Sequence, residues 1–165
     1  MSKINKIDVK IVELLMQDGR MPAMEIARRI GGITERVVRY RIDRMVKEGL
    51  ITISAIVHPQ KLGYSVVADV FLEVETGLIQ AVAQKLTGFA CISYVAYSIG
   101  ETDVSVQVFG KHPAEIYQFI TEVIGKIPGV RKTTTSIVPA IVKDVYQWRI
   151  PAEVVTDSGK KETKS

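Results

Sequence analysis

Arg36, Arg39 and Tyr40 lie close together in a stretch that opens at Thr34 and closes at Gly49. A guanidinium offers a planar pair of N–H donors that fits guanine O6 and N7, so arginines spaced along one helix face can read base edges in a major groove. The chemistry to look for is recognition of double-stranded DNA. The other reading of the same residues is a solvated arginine-rich face, because charge runs are usually exposed surface. The elements that would position these side chains decide between the two.

Thr34 is a good N-cap, able to accept a free N–H of the first turn, and Gly49 suits the left-handed position after a helix end. Between them Val38, Ile42 and Met45 recur at i, i+4 and i+7 as an inward stripe, leaving Arg36, Arg39, Tyr40 and Asp43 outside. Ahead of this helix, Met24, Ile26, Ala27 and Ile30 describe a shorter one, with Pro22 in its first turn and Gly31-Gly32 at its end. Two amphipathic helices meeting at a glycine turn read as a helix-turn-helix. A third helix, on Ile4, Ile7, Val9, Ile11, Val12, Leu14 and Leu15, ends near Asp18-Gly19 and lays an apolar face across the pair. Thr34, Arg36, Arg39 and Tyr40 are therefore the candidate DNA-facing residues, with Arg28, Arg29 and Arg44 as phosphate contacts.

Charge follows the same division. Residues 1–63 hold 12 Lys/Arg against 7 Asp/Glu, whereas residues 64–150 hold 7 against 8. The basic balance belongs to the head, where it favours a polyanion through counterion release. A length of 165 residues with 47% hydrophobic and 24% charged side chains is ordinary for one or two globular domains. Apolar runs break before roughly 18 residues, so no membrane span is expected. The N-terminus lacks a secretory core, and Cys91 has no partner for an intrachain disulfide, so the chain is read as cytoplasmic.

The second half has a different periodicity. Val66–Val74 alternates as a strand with Ala68, Val70, Leu72 and Val74 on one face; Gly77–Leu86 reads as a helix; Cys91–Ile99 and Asp103–Phe109 read as strands about a tight turn; Pro113–Lys126 reads as a helix; Val130–Val138 closes as a strand. This order is the split βαβ pattern of a ferredoxin-like sandwich, two helices on one face of an antiparallel sheet. The opposite face carries Asp69, Phe71, Tyr94, Asp103, Ser105 and Gln107, too apolar in part to be wholly solvated. A domain this small buries a modest share of its surface alone, so self-association through the sheet is the economical completion. The fold class expected is α+β: a helix-turn-helix, winged-helix-like domain at 1–52, a strand (Ile51 to Val57) and linker within 53–63, a ferredoxin-like βαββαβ domain at 64–150, and a disordered tail at 151–165.

Three segments, in order and at matching distances, carry a resemblance. They are Ile7-Asp8-Val9-Lys10-Ile11 through Asp18-Gly19-Arg20; Glu25-Ile26-Ala27-Arg28-Arg29-Ile30-Gly31 through Glu48-Gly49-Leu50-Ile51, leading to Pro59, Leu62 and Gly63; and Gly100-Glu101-Thr102-Asp103 with Pro128-Gly129-Val130. Over about residues 4 to 145 the chain resembles the Lrp/AsnC, or feast/famine, family of transcriptional regulators. The resemblance implies a DNA-binding head joined to an effector domain, dimers formed through the sheets, tetramers or octamers built from them, and an amino acid or related metabolite bound between effector domains. It assigns the effector to the hairpin of Gly100, Thr102 and Asp103, with backbone N–H groups for a carboxylate and Asp103 for an amino group. Thr133 and Thr135 would complete the polar shell. The alternative for Gly100-x-x-Asp103 is a plain β-hairpin turn with glycine at positive φ.

The chain departs from the family in places. The turn Gly31-Gly32-Ile33 is one residue longer than usual, and Val37 stands where the family commonly has threonine. The chain also runs past the family's usual end, where Tyr146 and Trp148 are candidates for packing on a partner. As an enzyme it is poorly equipped: His58 and His112 each precede a proline, in no catalytic or metal-ligand spacing, and are read as turn or capping residues. No cofactor or metal is expected. The rival enzyme reading is a haem-pathway sirohaem decarboxylase, a class that resembles the same two-domain architecture, which a porphyrin absorption band would reveal. A third reading is an effector-binding protein that has lost DNA binding.

Overall fold

The computed structural model describes residues 4–156. In chain order the elements are β1 (Ile4–Asn5), α1 (Lys6–Gln17), α2 (Ala23–Ile30), α3 (Glu35–Lys47), β2 (Val66–Val74), α4 (Ile79–Leu86), β3 (Ile92–Tyr97), β4 (Val104–Gly110), α5 (Pro113–Glu122), β5 (Val130–Val138) and β6 (Val155–Thr156), with short 3₁₀ turns between several of them. Two compact units result: the described residues up to Ile56 together with those from Lys143 on, and Val57–Val142. No helix among the described residues is long and apolar enough to cross a membrane.

In the first unit α1, α2 and α3 close around Ile11, Val12, Ile26, Ala27, Val38 and Met45. The stripe expected on α3 is the one buried, with Val38 and Met45 fully enclosed and Ile42 at the margin. Asn5 caps α1 by accepting the N–H groups of Ile7 and Asp8, while Asp8 returns a carboxylate to the Asn5 N–H. This reciprocal capping box satisfies donors that a helix start otherwise leaves open. Between α2 and α3, Gly31 (φ 73°, ψ 151°) and Gly32 (φ 70°) take conformations that a residue with a Cβ rarely adopts, which explains the paired glycines.

Two expectations need correction here. Ile51–Val57 forms no strand: it carries no regular secondary structure, and Thr52–Val57 make no backbone–backbone hydrogen bond among the described residues. A strand needs a ladder partner, and this segment has none among the described residues. The expected tail at 151–165 is ordered in its described part. Ala152–Val154 makes a 3₁₀ turn, and β6 pairs in parallel with β1, where the Thr156 hydroxyl also donates to the Ile4 carbonyl at 3.0 Å. Ile150, just before it, packs against the three-helix core. Residues 157–165, where the tail's polar composition is concentrated, lie outside the described residues.

The second unit is a four-stranded antiparallel sheet in the order β3-β4-β2-β5. Its core gathers Ala68, Val70, Leu72 and Val74 of β2 and Val104, Val106 and Val108 of β4 beneath Val82, Ala83 and Leu86 of α4 and Ile116 and Ile120 of α5. The alternation read from the sequence thus faces the helices, as the pleat requires. The opposite sheet face carries Asp69, Phe71 and Glu73 of β2, Ser105 and Gln107 of β4, Tyr94 of β3 and Lys132, Thr134 and Ser136 of β5, with Phe71 and Tyr94 exposed in the single chain. Gln107 ties part of this face together by donating to Asp69 at 3.0 Å.

Candidate functional site

The exposed side of α3 is prepared by what its other side does. Thr34 Oγ1 accepts the Val37 N–H at 3.4 Å and starts the helix, which leaves Arg36, Val37, Arg39 and Tyr40 outward in its first two turns. Tyr40 is 69% exposed, and Arg36 makes no hydrogen bond or ion pair among the described residues. Arg39 is held: its Nε and Nη2 both donate to Glu35 Oε1, at 2.9 and 2.5 Å. On α2, Arg28 and Arg29 converge on Glu25, with Arg28 Nε and Nη2 meeting the two carboxylate oxygens at 2.8 and 2.7 Å and Arg29 Nε at 2.7 Å. The hydrogen bonds from Arg28 and then Arg29 bring the Glu25 carboxyl from 4.5 down to about 2. The Arg28 side chain is largely in solvent and that of Arg29 about half so, and each guanidinium has N–H donors beyond those that Glu25 accepts.

Arg44 is a correction. Expected as a phosphate contact, it turns inward with Arg41, a residue the sequence reading passed over. Arg44 Nη2 and Arg41 Nη1 each reach Asp8 at 2.8 Å, and Arg41 Nη1 also meets Asn5 Oδ1 at 3.3 Å. Asp8 is wholly buried, and the Arg41 and Arg44 side chains are 20% and 27% exposed. Burial pushes the Asp8 pKa up, but the Asn5 N–H and the two guanidiniums outweigh it and hold the carboxyl below its ordinary value. The capping box at the start of α1 is therefore also the anchor for the middle of α3. A sequence signal existed, since Asn5 followed three residues later by Asp8 has capping-box spacing; the partners 33 and 36 residues away did not announce themselves.

Within the single chain the effector candidates occupy separate places. Asp103 Oδ2 accepts the Val74 N–H at 2.7 Å, and the Asp103 N–H donates to the Leu72 carbonyl at 2.9 Å, so this residue fastens the hairpin base to the end of β2. Thr133 and Thr135 pair opposite Leu72 and Val70, whose side chains lie under the helices, so both threonines belong to the helix-covered side of edge strand β5. Gly100 and Thr102 stand in the β3–β4 turn beside a fully exposed Ile99. Among the described residues no group of three or more His, Cys, Asp or Glu is placed to hold a metal. His112 caps α5, its Nδ1 accepting the Glu115 N–H at 3.2 Å.

Comparison with known proteins also divides the chain in two, with the second match running on through residues 143–150, which the fold returns to the first unit. Residues 4–52 match a family model described as winged helix-turn-helix DNA-binding, and residues 61–150 match an AsnC-type regulator model described as PF0864 C-terminal dimeric alpha+beta barrel domain. The chain is 37% identical over 145 residues to an HTH-type transcriptional regulator, PH0140, of Pyrococcus horikoshii, covering 87% of this chain and 91% of the relative. Among solved structures, Escherichia coli AsnC superposes with a TM-score of 0.80 at 23% identity, over 88% of this chain and 99% of that one. The transcriptional regulator NMB0573 of Neisseria meningitidis, determined as an L-Met complex, superposes at 0.79 with 19% identity, over 86% and 94%.

Proposed function

The chain belongs to the AsnC/Lrp family of DNA-binding transcriptional regulators, and from that premise we propose that it acts as a dimer, or an assembly of dimers, whose affinity for specific DNA responds to a small amino acid or related metabolite. The observation that carries the DNA part is the outward set Arg36, Arg39 and Tyr40, held in the first turns of a helix whose opposite stripe is locked into the core. Arg36 and Arg39 contact base edges, Tyr40 and Thr34 flank them, and the Glu25-gathered pair Arg28 and Arg29 contacts phosphates. Two heads are needed for the two half-sites of an operator. The half-apolar sheet face and the Thr52–Val57 segment both support a second copy, the first by its exposed Phe71 and Tyr94 and the second by backbone N–H groups that find no backbone acceptor among the described residues.

The effector part rests on the hairpin. A ligand carboxylate is received by backbone N–H groups near Gly100 and Thr102, at a contact between copies, with Asp103 setting the hairpin's position from its bond to Val74. The Neisseria relative's complex with L-Met supports an amino acid as the class of ligand. Selection of bound fragments from random DNA by the purified chain tests the first part: one enriched motif with two half-sites is expected, and retention of all sequences alike refutes it. A calorimetric screen of the common amino acids tests the second. If none binds, the hairpin is a structural turn.

A further inference from the structure

We propose that Glu35 is a specificity-determining residue of the DNA interface, acting through Arg39 and on the base beside the one Arg39 reads. The inference rests on the DNA-binding reading and deepens it. Glu35 is the first helical residue of α3, in the turn that a recognition helix presents to base edges, and one of its oxygens takes both the Nε and Nη2 donors of Arg39. An arginine has five N–H donors in a rigid plane. With the Nε edge occupied, the two N–H of Nη1 and the second of Nη2 remain, so Arg39 still offers one two-donor edge, at the tip of the guanidinium, and only that one.

Such an edge fits guanine O6 and N7, and the tether reduces the rotamer freedom that binding would otherwise remove. Arg36, with no hydrogen-bond or ion-pair partner among the described residues, has no comparable guide. The second Glu35 oxygen makes no hydrogen bond among the described residues, and a carboxylate in the groove accepts from cytosine N4 or adenine N6. It repels the acceptor-only edges of guanine and thymine. Glu35 and Arg39 thus form one reading unit: a guanine under Arg39, and a base with an exocyclic amine next to it.

The test uses the full chain. After a motif has been selected from random duplexes, affinities for it and for all single-base variants are measured by fluorescence anisotropy. The parent is compared with Glu35→Ala, Glu35→Asp and Arg39→Ala. Aspartate is the decisive variant, because it keeps the charge at the helix start but falls one methylene short of Arg39. Arg39→Ala is expected to erase preference for one guanine by roughly 5- to 150-fold. Glu35→Asp is expected to leave non-specific affinity within about 2-fold of the parent, since the charge facing the phosphates is unchanged. It should nevertheless weaken discrimination at that same guanine by about 1.4- to 2-fold, the worth of an i,i+4 pair. Glu35→Ala should lose the same discrimination and also admit guanine or thymine at the neighbouring position. If Glu35→Asp discriminates like the parent, or if Glu35→Ala tightens every sequence by one common factor, the inference is overturned while DNA recognition stands. A parent that selects no motif overturns the DNA-binding reading itself.

Discussion

Replacing Asp8 by asparagine tests whether the head is held together by charge as well as by its apolar core. The carboxylate is fully buried and receives three donors: the Asn5 N–H at 3.0 Å, and Arg41 Nη1 and Arg44 Nη2 at 2.8 Å each. Asparagine has nearly the same shape, but its amide turns a donor toward one guanidinium and leaves two cations without a counter-charge. Breaking a fully buried pair costs about 3–5 kcal/mol; the arginines' 20% and 27% exposure lets water recover part of that, so about 2–3 kcal/mol is expected. With a urea m-value of about 1–3 kcal/mol/M, the midpoint should fall by roughly 0.7–3 M. The single tryptophan, Trp148, lies in the same unit and gives a fluorescence signal for it. The pH dependence supplies a second readout. Because the Asp8 pKa is lowered in the folded protein, its stabilisation is present above the ordinary value of 3.8 and is lost as pH falls through the lower folded value. Parent and variant should therefore differ most near neutrality and converge in acid. In a double-mutant cycle, Arg44→Met should cost less in the Asp8→Asn background than in the parent. A midpoint shift worth under about 0.5 kcal/mol, the size of an ordinary surface substitution, would refute the reasoning.

The remaining predictions concern binding, assembly and the returning C-terminal segment. Arg36→Ala should lose about 1–3 kcal/mol of discrimination at particular base pairs in a binding-site selection; an equal loss on every sequence would make Arg36 a phosphate contact. Arg28→Ala or Arg29→Ala should instead weaken all sequences alike and reduce the magnitude of the log–log salt slope by about 0.9 per contact removed. An unchanged slope would remove them from the interface. Phe71→Asp places a charge on the open sheet face and should shift the protein toward monomer in analytical ultracentrifugation; an unchanged mass would mean that another surface makes the dimer. Ile150→Ala trims a half-buried side chain from the head's core and should lower its stability by about 1–2 kcal/mol in the same urea experiment, whereas no change would show that the segment merely rests on the surface.

Elements whose limits depend on local rules were legible in the sequence. Val66–Val74 and Val130–Val138 end where their alternation ends, and α3 runs between its threonine cap and its glycine stop. Residues whose role depends on a distant partner were not. Helical spacing sorts Arg44 by direction but is blind to an acid 36 residues away at the end of a long, flexible side chain. Asp103 follows a turn and looks free until the Val74 N–H is found beside it. Thr133 and Thr135 share a face with each other whatever the register; which face it is follows only from their pairing with Leu72 and Val70. The alternation of Ile51–Val57 was read correctly as a pattern and wrongly as a strand, because periodicity specifies a face without supplying a neighbour.

The head's small size accounts for both of its unexpected features. Three short helices enclose few fully buried side chains, and a core of that size supports only a few kcal/mol. A recognition helix nevertheless has to hold its angle when phosphates pull on its outer face. The Asp8 cluster fixes α3 at mid-length to the start of α1, and the returning segment adds Ile150 to the core and a β6 pairing beside that same helix start. Both act on the Ile4–Asp8 stretch, so the capping box is the joint at which core, charge and returning chain meet. A disturbance there reaches the outward residues Arg36, Arg39 and Tyr40 through the orientation of α3.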